Sequence, residues 1–252
     1  HYIRHEHLED ENKQFYFTEF MEMAAKNNLQ YLSDAALAPM YLGNLKPSVA
    51  EKLQSLNDIV KTEQYIDFIT NRRFRSTLLC HRNVQLNRAL NNDHIRDFAM
   101  SLDIEPEKAF NQKDLESNEA VKFIYKGDKN QHVSSSSMFL KAVLYVLSEN
   151  RGYPLKLETL VEKASKKLKG SHKAQVEAEL INNAMNLVMK GYMEISLIER
   201  DKDKVNLEKP TLSNLSLFQV NNTDYTWVTS RNHVPVGLNI FDKIALKFMD
   251  GK

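Results

Sequence analysis

Cysteine is almost missing from this chain: Cys80 is the only one in 252 residues. That excludes an internal disulfide and any zinc site built on cysteine, and it fits a reducing compartment. Glycine is scarce as well. Gly43, Gly127, Gly152, Gly170, Gly191, Gly237 and Gly251 each stand alone. No glycine-rich loop is available to cradle a phosphate or nucleoside, which argues against a Walker loop, a dinucleotide fold or a complete adenosylmethionine site. No apolar run approaches the roughly 20 residues of a membrane span, so no membrane insertion is expected. Charge of one sign is not in excess either. The formal net charge is +1, and nothing global draws the chain to nucleic acid or lipid. An initiator methionine and a signal peptide are absent, since residues 1–6, HYIRHE, are polar and charged. The chain therefore reads as a piece of a longer, cytoplasmic protein.

What is present is the composition of an ordinary folded protein, with 42% hydrophobic and 27% charged residues. The length suits one large domain or two modest ones. Hydrophobic periodicity predicts an α+β, mainly helical fold in four parts. Residues 1–90 form a helical domain. Thr18 is expected to cap a helix to about Asn28, Leu29 to Leu32 to be extended, and Pro39, Gly43 and Pro47 to mark a loop. A second helix is expected from Ser48, with Val49, Leu53, Leu56 and Val60 on one face. A third is expected from Thr62, with Tyr65, Phe68 and Ile69 inward, and Phe74 to Cys80 is strand-like. Residues 91–135 form a β-rich connector. Its period-two runs around 98–104 and 121–126 predict two strands that could pair with each other, joined by a polar loop over 106–118.

Residues 136–209 carry the order of a winged-helix domain. Helices are expected over about 137–150, 156–169 and 171–190, separated by Arg151-Gly152-Tyr153-Pro154 and by Gly170. One of Ser134 to Ser137 should cap the first, and Gly191 should follow the third as its C′ residue. A wing strand over 192–198, a charged tip over 200–204 and a return over 205–207 complete the pattern. Residues 210–252 are a further module, read as truncated, in which 214–220 is helix or strand. A final helix is expected from Asn239, with Phe241, Ile244, Ala245, Phe248 and Met249 on one face.

This order is shared by many DNA readers, and Lys156 to Lys173 holds six lysines against Glu158 and Glu162. The third helix argues against DNA. Glu177 and Glu179 occupy its first half, where a recognition helix meets phosphates, and it has no arginine. The lysine-rich stretch, with Lys163, Lys166, Lys167, Lys169 and Lys173, is read instead as a solvated face or a contact for an acidic protein or a substrate. His5-Glu6-His7 is a second candidate contact; its i, i+2 histidines face together only on a strand, and no third metal ligand is near. Cys80 next to His81 and Arg82 has neighbours that lower a thiol pKa, yet it ends an apolar run and reads as a small buried residue. No catalytic, cofactor-binding or metal-ligating residue is assigned.

Several segments resemble a known family. His5-Glu6-His7-Leu8-Glu9, Asn12, Tyr16-Phe17, Glu19-Phe20, Ala24-Ala25, Leu29 and Tyr31-Leu32 are similar to the opening of the methyltransferase regulatory domain. Gln64-Tyr65, Asp67-Phe68, Asn71-Arg72, Phe74-Arg75 and Thr77 to Cys80 resemble its second signature. Val228 to Val236, then Phe241 to Met249-Asp250-Gly251, is similar to the family's closing module, with Asn232 interrupting its arginine–histidine pair and Met249 replacing its leucine. The resemblance implies the accessory half of a bacterial methyltransferase similar to rickettsial protein lysine methyltransferases. S-adenosylmethionine would then belong to a catalytic core outside this chain, and this chain would not be an enzyme alone. The helix and strand over 18–32 would pack on that core or complete its sheet. The implied partners are that core, a protein substrate and a second copy. The competing expectation is a winged-helix transcription regulator; a hydrolase using Cys80 is the third.

Overall fold

The first helix, α1 (Phe17–Lys26), buries Phe17, Met21 and Ala24, one stripe at helical spacing. The computed structural model describes residues 8, 13–200, 202, 208–222, 225–230 and 233–251. The chain divides into two compact units, residues 1–95 with 181–193, and residues 96–180 with 194–252.

In the first unit the cap of α1 is Tyr16, not Thr18. The Glu19 carboxylate accepts the Tyr16 N–H at 2.8 Å, and the Thr18 N–H, just inside the helix, donates to the Gln64 side chain at 3.1 Å. Glu19, at the third helical position, thus satisfies the backbone N–H of the cap residue, and Thr18, expected as the cap, is the second residue of the helix. Asn28, in the left-handed region at φ 58°, turns the chain into β1 (Leu29–Asp34). That strand pairs antiparallel with β2 (Thr77–His81). Two short 3-10 turns, Ala38–Met40 and Leu42–Asn44, lead to α2 (Pro47–Gln54), which starts on its proline.

The helix expected to run through Val60 stops at Gln54. Asn57 adopts φ 48°, and Asp58 caps a new helix, α3 (Ile59–Thr70), accepting the N–H groups of Val60 and Lys61 at 3.0 and 3.1 Å. Thr62 therefore lies inside α3, its hydroxyl donating to the Leu53 carbonyl. The inward face of α3 also differs from expectation. Tyr65, Phe68 and Ile69 are 49%, 57% and 50% exposed, whereas Ile66 is 1% exposed and Glu63, Gln64 and Asp67 are buried beside it. Helical spacing identifies a stripe but not which of two stripes faces the core. Phe17, Met21, Ala24 and Tyr31 form that core, with Leu29, Met40, Ile59, Val60 and Leu79 against it.

In the second unit the period-two run splits at Asp103. Its front half, β3 (Ala99–Leu102), is the middle strand of a three-stranded sheet with β7 (Leu155–Lys156) and β8 (Met193–Ser196). Its back half, β4 (Ile104–Pro106), pairs with β5 (Val121–Tyr125), which pairs with β6 (Asp128–Ser135). All four residues of β3 are buried, a pattern that suits a strand covered on both faces rather than one with a solvent side. The expected pairing of 98–104 with 121–126 holds for the second half alone, because alternation fixes side-chain direction and says nothing about which neighbour a strand takes. Ser134 and Ser135, expected as a link, belong to β6. A short helix, α4 (Gln112–Glu116), sits in the expected polar loop.

Three helices follow in the expected order: α5 (Met138–Glu149), α6 (Leu157–Lys167) and α7 (Lys173–Met189). Ser137 caps the first, accepting from the Leu140 N–H. Leu140, Val143, Leu144 and Leu147 of α5 and Leu157, Leu160, Val161 and Ala164 of α6 are buried. Gly152 and Gly170 take positive φ at the two breaks. The first half of α7, to Leu180, counts with the second unit and the second half with the first. There α7 ends in a Schellman motif: the Gly191 N–H donates to Val188 and the Tyr192 N–H to Leu187, both at 2.9 Å. Gly191 is required twice, by its φ of 78° and because a Cβ would stand 2.9 Å from that of Ala38. The expected return strand over 205–207 lies outside the described residues. The C-terminal module comprises α8 (Asn214–Asn221), the β9 (Trp227–Thr229) and β10 (Pro235–Gly237) hairpin, and α9 (Ile240–Leu246).

Candidate docking surface

The second signature segment builds a buried cluster of charge in the first unit. Glu63 and Asp67 stand four apart on α3 and point the same way. Asn71, left-handed at φ 53°, ends the helix and returns Arg72 and Arg75 to those carboxylates. Arg72 Nε donates to Asp67 at 2.5 Å and its Nη2 to Glu63 at 3.0 Å; Arg75 Nη1 donates to Asp67 at 2.9 Å, and its Nη2 also reaches Glu63. Asp34, at the end of β1, lies 3.7 and 3.8 Å from the two guanidiniums. Its Oδ2 has no hydrogen-bond partner. The Arg75 guanidinium also lies over the Phe17 ring, 3.7 Å from its centroid. Burial opposes the Arg72 charge, but hydrogen bonds and attraction from Asp67 and then Glu63 outweigh it and raise its pKa. The Tyr31 hydroxyl is pushed well above the ordinary phenol value, by burial first and then by Glu63. Three carboxylates against two guanidiniums tie α1, β1, α3 and the segment before β2 into one block. Sequence reasoning missed this role; the signal was two acids at i, i+4 followed at once by two arginines at i, i+3.

The block fixes what lies outside it. With Glu63 and Asp67 turned inward, Tyr65, Phe68 and Ile69 face out. Tyr16 meets Phe68 edge to face with ring centroids 5.7 Å apart, and Phe68 meets Tyr65 at 6.3 Å. Phe20, one turn from Tyr16 on α1, is also exposed. The result is a contiguous aromatic face across α1 and α3, the kind of patch that marks a protein contact.

Of the residues nominated from sequence, His5, Glu6 and His7 lie outside the described residues. The lysines lie around the end of α6 and the start of α7. Lys166 pairs with Glu162 at 2.7 Å, Lys167 with Glu149 at 2.9 Å and Lys169 with Glu116 at 2.8 Å. Lys167 Nζ also lies 4.8 Å from the centre of the Tyr145 ring. Lys163 is half-buried and engaged, and Lys173 is exposed at the start of α7. The acids of α7 are engaged too: Glu177 by Arg96, and Glu179 by the Ser137 hydroxyl at 2.9 Å. Cys80 is half-buried in β2 opposite Gln30. A separate open groove of about 700 Å³ in the second unit is lined by Tyr125, Asp103, Glu194 and Arg151 among others. Burial, then Glu194 and Asp103, raise the pKa of the Tyr125 hydroxyl.

Among the described residues no three His, Cys, Asp or Glu side chains are placed to hold a metal, and no helix is long and apolar enough to cross a membrane. The described pairings β1–β2, β3–β7, β4–β5, β5–β6 and β9–β10 are antiparallel, and no glycine-rich strand-to-helix turn accompanies them.

Residues 1–81 match the family model described as a predicted methyltransferase regulatory domain. An uncharacterised protein of Rickettsia prowazekii (strain Madrid E) is 46% identical over 253 residues, which cover 100% of this chain and 46% of that protein. A second uncharacterised protein of the same organism is 33% identical over 193 residues, covering 74% of this chain and 77% of the relative. Two solved structures are similar in fold. PKMT2 from Rickettsia typhi in complex with AdoHcy superposes with a TM-score of 0.86 at 38% identity, over 99% of this chain and 49% of that one. A further structure of PKMT2 from Rickettsia typhi gives 0.83 at 36% identity, over 99% and 50%. The chain thus spans about half the length of the first of these relatives and of PKMT2. The regulatory-domain match and the rickettsial relatives together establish that this chain belongs to the methyltransferase regulatory domain family.

Proposed function

We propose that this chain is the regulatory and substrate-engaging region of a bacterial protein lysine methyltransferase that uses S-adenosylmethionine. The catalytic core would be carried by polypeptide outside residues 1–252. One observation carries this reading: nearly the whole chain superposes on half of PKMT2, a protein bound to AdoHcy, the product left when S-adenosylmethionine gives up its methyl group.

In this reading the aromatic face of α1 and α3, held outward by the charge cluster, packs on the core. The second unit, with α5, α6 and the first half of α7 read as part of a winged-helix-like domain, shapes the approach of a polypeptide. The groove beside Tyr125, together with Lys173 and His5 to His7, are its candidate contacts. A homodimer and a cytoplasmic location go with the same reading. A DNA-binding role is disfavoured, because Lys166, Lys167 and Lys169 already neutralise Glu162, Glu149 and Glu116, leaving little net positive field for phosphates.

The test is methyl transfer from labelled S-adenosylmethionine to protein lysines. The full parent protein should transfer methyl groups and residues 1–252 alone should not. The double variant Tyr65→Asp, Phe68→Asp should lower transfer by the parent at least about tenfold, the loss of one well-packed aromatic contact. Transfer by residues 1–252 alone, or an unaffected double variant, would overturn the reading.

A further inference from the structure

The C-terminal module has far more apolar surface than its own core uses. Within residues 210–251, Val220 and Val228 are the buried apolar side chains among those described. The module is held together mainly by polar contacts. The Ser216 hydroxyl donates to the Thr229 carbonyl at 2.8 Å, the Gln219 side chain accepts the Thr229 N–H at 2.8 Å, and the Gln219 amide reaches the Thr229 hydroxyl at 3.2 Å. Leu212 and Gly251 then pair backbone groups with Met249 and Pro210, closing α9 back onto the start of the module.

Outside this frame the exposed groups are large. On α9 and just beyond it, Ile240, Phe241, Ile244 and Phe248 are 69%, 78%, 55% and 79% exposed. Their spacing of i, i+1, i+4 and i+8 makes them one stripe of an amphipathic segment. Phe218, Tyr225 and Trp227 form a second aromatic run in the same module, with ring centroids 6.3 and 5.6 Å apart. Soluble proteins rarely leave an apolar stripe such as that of α9 uncovered. Helix formation here also argues for a cover: α9 has seven residues, too few to persist on hydrogen bonding alone without tertiary packing.

We infer that in the parent protein this stripe is covered by polypeptide of the same chain lying outside residues 1–252, so that α9 is one wall of a domain completed from elsewhere in the sequence. The occupant is identified by length. The relative aligned over all of this chain has about as much chain again beyond the aligned part, and so does PKMT2. A segment of the same polypeptide reaches the stripe at the high effective concentration that tethering provides. The segment itself must present apolar side chains to match a stripe without a charged residue at 240, 241, 244 or 248. The inference rests on the proposed reading that this chain is part of a longer protein, but not on methyl transfer: it concerns only what packs on α9.

The experiment places a photo-activated cross-linking residue, p-benzoylphenylalanine, at position 248, and separately at 241, in the full parent protein. Isotopically light and heavy copies are mixed before irradiation. The expected result is adducts within one copy, to peptides outside residues 1–252, with amides of 239–249 slow in hydrogen exchange in the unsubstituted parent. Adducts joining light to heavy copies would assign the stripe to a second molecule and overturn the inference. So would adducts confined to residues 1–252, or fast exchange over 239–249 in the unsubstituted parent. The exchange measurement uses no variant and stands even if a substituted chain folds poorly.

Discussion

Replacing Arg75 with methionine tests the electrostatic logic of the first unit. The cluster sets two guanidiniums against three carboxylates, all buried or nearly so. Arg75→Met leaves one guanidinium facing three carboxylates and removes donors to Asp67 and Glu63. It also removes the cation from the Phe17 ring. Breaking a buried pair by deleting one partner costs about 3–5 kcal/mol, because the remaining charge stays desolvated. Asp34→Asn does the opposite. It brings the cluster to two against two, and the Asp34 Oδ2 it alters accepts no hydrogen bond, so its cost should fall within about 1 kcal/mol. The two sites are close enough to couple. The double variant should lose less than the sum of the singles by about 1 kcal/mol or more, since a neutral side chain at position 34 relieves the excess negative charge that Arg75→Met creates. Native-state amide exchange of the α3 peptide 59–70 measures this locally. At about 1.4 kcal/mol per tenfold, Arg75→Met should speed exchange there by roughly two to three and a half powers of ten. Equal effects from Arg75→Met and Asp34→Asn, or strict additivity in the double variant, would refute the reasoning.

Two further side chains carry predictions of their own. Lys141 is fully buried in α5, and its ammonium donates to the Asp114 and Ser117 carbonyls at 2.7 and 2.6 Å and reaches that of Glu119 at 3.4 Å. Lys141→Met should cost about 2–3 kcal/mol in urea unfolding, by stranding those carbonyls. Burial holds the Lys141 pKa below the ordinary lysine value of 10.5. Between that lowered value and 10.5 the unfolded chain binds more protons than the folded one, so this group adds stability as pH rises through the window. Melts at about pH 8 and about pH 10 should show that gain in the native chain relative to Lys141→Met. At the end of α3, Asn71 holds φ 53°. Asn71→Gly should be near neutral by thermal melt, while Asn71→Val should cost about 1–2 kcal/mol or more, the strain of a β-branched residue in the left-handed region.

Local features of the chain were legible without the fold. The serine cap at Ser137, the breaks at Gly152 and Gly170 and the C′ glycine at Gly191 each follow from backbone geometry within a few residues. The three helices between 138 and 189 were readable for the same reason: their periodicity is long and bounded by strong stop signals. Residue identity also carried the family, through short segments such as Asn71-Arg72 and Phe74-Arg75. Long-range choices were not legible. Tyr65, Phe68 and Ile69 form as good a stripe as the one that is buried. Only the return of Arg72 and Arg75 onto Glu63 and Asp67 makes the acidic side of α3 the inner one and leaves the aromatic side as a surface. Likewise Ala99 to Leu102 reads as half of one strand, and only burial on both faces separates it from Ile104 to Pro106 and gives it different partners. The sequence by itself determined the order of the helices between 138 and 189 and the breaks at Gly152, Gly170 and Gly191 that bound them, because helical periodicity and glycine conformation are local properties; the starts of α1 and α3 and the split at Asp103 were not among them. The tertiary structure decided which face of each element is covered, because that depends on contacts between residues far apart in the chain.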